Sequence, residues 1–263
     1  MCVTAACAKM FPPHGTFMIS AFRDSTTLRY GASRHQVVTV RAPARGVDER
    51  DGTVVVLHGG SWRWPYGRAV MRLVVEDLRQ HGWWIADVEY RRLGRFGGGG
   101  GFPETFDDVV DAIGTVEAHR SARTVVVGHS AGGHLALATA PRVSNVVDLA
   151  GVVAVAAPTD IRRIVETGQQ DAIALTVGAP EDERWSLTSP MHMLPLGTPV
   201  ALVHSRDDAT VPARRSEQYA DAAAAAGDRV QLRLVEGDTH RDAIKPSSAT
   251  WSAARSAVSE FLG

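Results

Sequence analysis

One serine stands between glycines in Gly128-His129-Ser130-Ala131-Gly132, a G-x-S-x-G pentapeptide that follows the apolar run 124–127 and precedes the helix-forming stretch 133–138. Strand, sharp turn and helix in that order would hold the Ser130 hydroxyl at a helix N-terminus, exposed as a nucleophile. The glycines answer a steric need, because strand and helix backbones pass closely at such a turn and a side chain there would collide. A serine hydroxyl alone is a weak nucleophile. It needs a base to take its proton, an acid to orient that base, and donors for the oxyanion that forms on an attacked carbonyl.

Each of these has a candidate. His58-Gly59-Gly60-Ser61-Trp62 closes the apolar run 53–57 with small residues that leave backbone NH groups free. The NH of Gly60 or Ser61, together with that of Ala131, would bind the oxyanion, each donor being worth roughly 3 kcal/mol. Downstream, the run 200–203 leads into His204-Ser205-Arg206-Asp207-Asp208-Ala209-Thr210-Val211-Pro212. Asp208 is favoured as the acid, because the D-x-x-V-P arrangement places a carboxylate at a strand's end and a proline at the start of a helix. Asp207 would cap the turn or meet Arg206, and Asp160, at another strand's end, is a third candidate. His240, in Gly237-Asp238-Thr239-His240, follows the last strand and can swing back to the sheet edge. There Nε2 would take the Ser130 proton while Nδ1–H donates to Asp208. Of the other histidines, His129 and His134 would pack or hydrogen-bond locally, His58 would brace the oxyanion loop and His204 would support the Asp208 turn. No H-E-x-x-H or comparable spacing occurs, so neither a metal nor a cofactor is expected.

The elements that must carry these residues alternate. Strands are expected over 36–40 (an edge strand), 53–57, 83–88, 124–127, 152–156, 200–203 and 230–235. Helices are expected over 68–79 with Val70, Leu73, Val74 and Leu78 inward, from Pro103 for about four turns, after Ser130, and over 214–226 and 248–261. Strand and helix alternating in this way imply an α/β fold, a mostly parallel sheet with helices on both faces. Residues 158–199 break the rhythm with short helical pieces at 161–166 and 171–177 and read as a small helical cap over the sheet's C-terminal edge. Gly97–Gly101 reads as a flexible loop, with no Gly-Lys-Ser/Thr to make it a phosphate cradle. Residues 1–35 are expected to be a lead-in, partly disordered, and 36–263 one domain.

Composition narrows the partners. Lys plus Arg number 28 and Asp plus Glu 29, for a formal net charge of -1, so neither nucleic acid nor an acidic membrane surface is expected. A small-molecule substrate is favoured, with a monomer or homodimer as the assembly. The two cysteines, Cys2 and Cys7, suggest no disulfide framework. The opening residues lack a basic segment ahead of an apolar stretch, and no run approaches membrane-spanning length, so a cytoplasmic protein is expected.

Together these residues resemble the α/β-hydrolase fold from about Val37 to Leu262. Within it, His58-Gly59-Gly60-Ser61-Trp62 is similar to the H-G-G-x-W motif of the kynurenine formamidase (arylformamidase) group, as is Tyr30-Gly31 with Gln36 to that group's segment before its first strand. Neighbouring small carboxylesterases share the H-G-G-x-W motif. The resemblance implies hydrolysis of an N-formyl arylamine such as N-formylkynurenine to formate and the amine, a step of tryptophan catabolism. The alternative is a carboxylesterase on small or aryl esters. A non-catalytic binding protein of this fold would be expected to have lost Ser130, Asp208 or His240, and all three are present. An aromatic substrate would be met by Trp62, Trp64 and Tyr66 beside the oxyanion loop and by Trp185, Met191 and Met193 from the cap.

Overall fold

The computed structural model describes residues 24–263, so Cys2 and Cys7 lie outside the described residues. Among the described residues, eight strands form one sheet: β1 Ser25–Arg29, β2 Val37–Arg41, β3 Thr53–Leu57, β4 Trp84–Glu89, β5 Thr124–His129, β6 Leu149–Val155, β7 Val200–Ser205 and β8 Val230–Val235. They lie in the order β1-β2-β4-β3-β5-β6-β7-β8. β1 and β2 pair antiparallel with each other and β2 with β4, and every other pairing is parallel. The expected mostly parallel sheet is present. Residues 36–40 were expected at an edge, but β2 lies inside the sheet, because Ser25–Arg29 of the lead-in adds a strand beyond it.

Strands buried on both sides divide their residues by the two-residue period of a pleat. In β3, Val55 and Leu57 join one core and Val54 and Val56 the other, and β6 does likewise with Val152 and Ala154 against Val153 and Val155. The first core is covered by α2 Glu104–His119, α3 Ala131–Val143 and α7 Arg214–Ala225. The opposite one is covered by α1 Arg72–Gln80 and α8 Ala249–Leu262, whose Trp251 is fully buried. The three remaining helices, α4 Ile161–Glu166, α5 Gln170–Thr176 and α6 Arg184–Thr188, all fall in the segment expected as a cap.

Two local expectations are corrected. Residues 68–71 form a 3-10 turn and the α-helix starts at Arg72, which shifts the inward face. Met71, Val74, Val75 and Leu78 are buried while Val70 and Leu73 face solvent. The glycine run is also folded rather than loose. Gly97 accepts from the Arg92 NH and Gly100 donates to the Arg92 carbonyl at 2.7 and 2.8 Å, and a Cβ at Gly97 or Gly100 would strike the backbone of Arg92 or Arg91.

Strand order brings the chemistry together. The chain leaves β3 for β4 on one side and returns to place β5 on the other, so the crevice at the C-terminal ends of β3 and β5 is a topological switch point, where open α/β sheets bind ligands. The loop His58–Trp62 leaves β3 there, Ser130 leaves β5, and the loops after β7 and β8 bring Asp208 and His240.

Candidate active site

Ser130 sits at φ 52°, ψ -120°, left-handed backbone that a serine seldom adopts. Its surroundings force this turn. Its NH donates to the Val155 carbonyl at 2.8 Å and its carbonyl accepts from the His134 NH, the first bond of α3. A Cβ on Gly128 would run into the Gly132 backbone, and one on Gly132 into the carbonyls of Leu57 and His58. The pentapeptide's glycines are therefore the contact between β5, α3 and β3. Ser130 stands at the N-terminus of α3, where the helix dipole favours developing negative charge.

His240 Nε2 lies 2.9 Å from Ser130 Oγ, and His240 Nδ1 lies 2.6 Å from Asp208 Oδ2. A carboxylate opposite Nδ1 assigns the proton to Nδ1 and leaves Nε2 as acceptor for the serine hydroxyl. Asp208 Oδ1 accepts the NH groups of Thr210 and Val211 at 2.8 and 2.9 Å. His204 Nε2 faces both the Val211 carbonyl at 2.8 Å and Asp208 Oδ2 at 3.4 Å, and its Nδ1 meets Ser216 Oγ. Burial alone would raise the Asp208 pKa, but hydrogen bonds from His204, His240 and the Val211 NH outweigh it and hold the carboxyl well below the usual range. It stays ionised beside His240. Asp207 points elsewhere and accepts the Gly237 NH at 2.6 Å. It does not meet Arg206, which pairs with Glu217, and Asp160 caps α4 through the Arg163 NH.

The loop after β3 carries three consecutive positive φ angles, 118° at Gly60, 50° at Ser61 and 57° at Trp62. Among the described residues the NH groups of Gly60, Ser61 and Ala131 donate to no backbone carbonyl or side chain outside regular elements, so they are available to an incoming oxygen. His58 braces this loop, with Nδ1 2.8 Å from the Gly59 carbonyl and Nε2 3.2 Å from Glu89. Tyr90 stacks on it at 4.2 Å and donates to its carbonyl. Tyr30 donates to the Glu89 carbonyl, and Gln36 to Asp108, which also holds Arg91. The upstream segment thus props the ends of β4 and α2 rather than touching the site.

Two buried histidines complete the scaffold. His129 donates from Nε2 to the His240 carbonyl at 3.0 Å, and burial, reinforced by His240, lowers its pKa to about 3. His134 donates from Nε2 to the Thr188 carbonyl at 2.7 Å and accepts the Trp62 indole NH at 3.2 Å, and burial lowers its pKa to about 4. Both are neutral near pH 7. Trp62, expected against the substrate, therefore ties the His58–Trp62 loop to α3 and α6, with only 3% of its surface exposed.

Two cavities flank Ser130. One, of about 240 Å³, lies toward Ala131 and is lined by Trp62, Ile164, Thr167, Gln169, Val211 and Arg215 among others. The other, of about 440 Å³, lies toward His240 and is lined by Gly60, Arg63, Tyr66, Val70, Arg241 and Ile244 among others. Of the residues expected around a substrate, Tyr66 and the edge of Trp62 are placed there. Trp64 is half exposed and packs on Phe96. Trp185, Met191 and Met193 pack against the core and line neither cavity. The cap instead contributes Ile164, Thr167 and Gln169, and α7 contributes Arg215. Sequence reasoning missed all four, because docking sets the orientation of α4, of the turn between α4 and α5, and of α7.

A family model described as BD-FAE matches residues 42–222, more than half of the chain. Ser130 and Asp208 fall inside the match and His240 beyond it. A curated relative, the kynurenine formamidase avaC of Aspergillus versicolor, is 29% identical over 209 residues, 64% of this chain and 74% of that protein. Among solved structures, a truncated carbohydrate esterase from gut microbiota superposes with a TM-score of 0.75 at 17% identity, covering 93% of this chain and 98% of the other. Brefeldin A esterase gives 0.72 at 20%, covering 95% and 80%. Thermogutta terrifontis esterase 2 gives 0.71 at 21%, covering 91% and 93%. The shared fold is that of the α/β-hydrolases.

Proposed function

The chain belongs to the BD-FAE family, and from that membership and the geometry around Ser130 we propose a serine hydrolase that cleaves an N-formyl arylamine through a formyl-enzyme. The observation that carries the reading is the line Asp208–His240–Ser130, closed at 2.6 and 2.9 Å, beside backbone donors of two loops. Ser130 Oγ attacks the formyl carbon as its proton passes to His240 Nε2. The oxyanion meets the NH groups of Gly60 or Ser61 and of Ala131, and Asp208 stabilises the imidazolium. The intermediate collapses with cleavage of the C–N bond, His240 protonates the departing amine, and water, deprotonated by the same nitrogen, hydrolyses the formyl-serine to formate. In this reading residues 158–199 act as a cap on a domain spanning 36–263, and Tyr66 faces an aromatic leaving group. The likeness to the avaC formamidase and the His58–Trp62 loop support the formamide substrate.

A second reading, a carboxylesterase on small or aryl esters, is favoured by one observation. A formyl group would leave one of the two cavities beside Ser130 unused, whereas an ester with a larger acyl group fills both. The test is kcat/KM on N-formylkynurenine and on p-nitrophenyl acetate, with Ser130→Ala as blank. A strong, Ser130-dependent preference for the formamide supports the first reading, and ester-dominated turnover supports the second. Turnover that survives Ser130→Ala refutes both.

A further inference from the structure

Arg215, in the first turn of α7, lines the cavity on the Ala131 side of Ser130 and is only 9% exposed. Among the described residues its guanidinium has no acceptor and no ion-pair partner, and its Nη1 is sealed from solvent unpaired. Buried cations are ordinarily paired, because desolvation without a partner is costly. The neighbourhood does not relieve the cost. Burial and the charges of Arg163 and Arg214 act against the guanidinium, with Asp160 a partial offset, yet arginine remains a cation in proteins. Among the described residues, no other one lining this cavity is charged. The two arginines of the opposite cavity differ: Arg63 is exposed and lies 3.5 Å from Asp171, and Arg241 is exposed.

We propose that Arg215 makes the cavity beside Ala131 a carboxylate pocket, so that the hydrolysed substrate carries one carboxylate seated there. A guanidinium presents paired donors that match a carboxylate, and the Gln169 amide and Thr167 hydroxyl in the same wall can add donors. A single buried positive charge suits a monoanion better than a phosphate dianion. The inference rests on Ser130 as nucleophile. The carboxylate can belong to the acyl side, as in a half-ester of a dicarboxylic acid, or to the departing aryl group.

Three esters separate these sources: neutral phenyl acetate, phenyl hydrogen glutarate with its charge on the acyl side, and 4-acetoxybenzoate with its charge on the leaving group. One of the two anions is expected to exceed phenyl acetate in kcat/KM by about tenfold or more, mainly through KM, since charge-assisted hydrogen bonds are markedly stronger than neutral ones. The anion that wins identifies the side. Arg215→Met should collapse that ratio to near one without lowering the thermal midpoint, because it removes an unpaired buried charge, and Arg215→Lys should restore part of it. Calorimetric binding of the same esters to Ser130→Ala reads the pocket without turnover, so failure of the nucleophile assignment and failure of the pocket are distinguishable. The proposal is overturned if neither anion binds or reacts better than phenyl acetate, if Arg215→Met retains the preference, or if Arg241→Met removes it instead.

Discussion

Asp208→Asn tests the proposed catalytic line most sharply, because the structure dictates how the new side chain must sit. Oδ1 of Asp208 receives two backbone donors, from Thr210 and Val211, so the amide oxygen of an asparagine must take that place and its NH₂ must face His240 Nδ1. At a separation of 2.6 Å Nδ1 is then obliged to accept, the ring proton moves to Nε2, and Ser130 Oγ finds a donor where it needs an acceptor. Restoring the active tautomer would lose a charge-assisted hydrogen bond, about 1.5–3 kcal/mol, and oppose two buried donors, about 1–3 kcal/mol more. With about 1.4 kcal/mol per tenfold in rate, kcat should fall roughly 100- to 10,000-fold. The assay is steady-state hydrolysis of p-nitrophenyl acetate and N-formylkynurenine, with thermal unfolding as a control for structure. Asp207→Asn, which alters only an exposed acceptor for the Gly237 NH, should stay within about threefold of the parent by the same estimate, since exposed groups contribute little. Retention of more than a tenth of the activity by Asp208→Asn, or a larger loss in Asp207→Asn, would refute the assignment of the acid.

Three further outcomes follow from the surroundings of the site. His129 and His134 have folded pKa values lowered from 6.5 to about 3 and about 4, so below pH 6.5 the unfolded chain binds protons that the folded one does not. Urea unfolding at pH 7.5, 6 and 5 should therefore show stability complete above about pH 7 and falling with acid by up to about 1.4 kcal/mol per pH unit for each histidine. His134→Gln, which can keep both hydrogen bonds without titrating, should flatten the slope. Gly132→Ala would press a methyl group onto the Leu57 and His58 carbonyls and should cost about 3 kcal/mol or more of stability together with most of the activity, whereas Gly168→Ala, at an open position with φ 78°, should strain only its own backbone by about 1 kcal/mol. Trp185→Ala should lower stability by about 2 kcal/mol and leave KM within about twofold, because Trp185 packs on the core and lines neither cavity; a large rise in KM would place it back against the substrate.

What was legible in the sequence was whatever a short segment decides within itself. The runs 53–57 and 124–127 had to be strands because β-branched residues fill them almost entirely, with Leu57 the one exception, and the glycines around Ser130 had to mark a close backbone approach because nothing else tolerates one. The meeting of Ser130, His240 and Asp208 was legible through order, each of them following a strand that ends on the same sheet edge. Where a distant contact decides, composition was mute or misleading. Five glycines in a row read as slack, yet two of them are pressed against Arg91 and Arg92. Trp62 reads as a stacking surface, yet its indole NH meets a histidine 72 residues away. Trp185 and the cap methionines read as a substrate wall, yet short helices take their phase from what they dock on, and docking turned Ile164, Thr167 and Gln169 toward Ser130 instead. Arg214 and Arg215 are the plainest case: two adjacent arginines open a polar helix, and only the rotation of that helix against the sheet leaves the first in solvent and buries the second in the cavity beside Ser130. Reaction type can therefore be read from local patterns, whereas substrate choice depends on side chains whose orientation is settled by tertiary packing, and on Arg215 before the others.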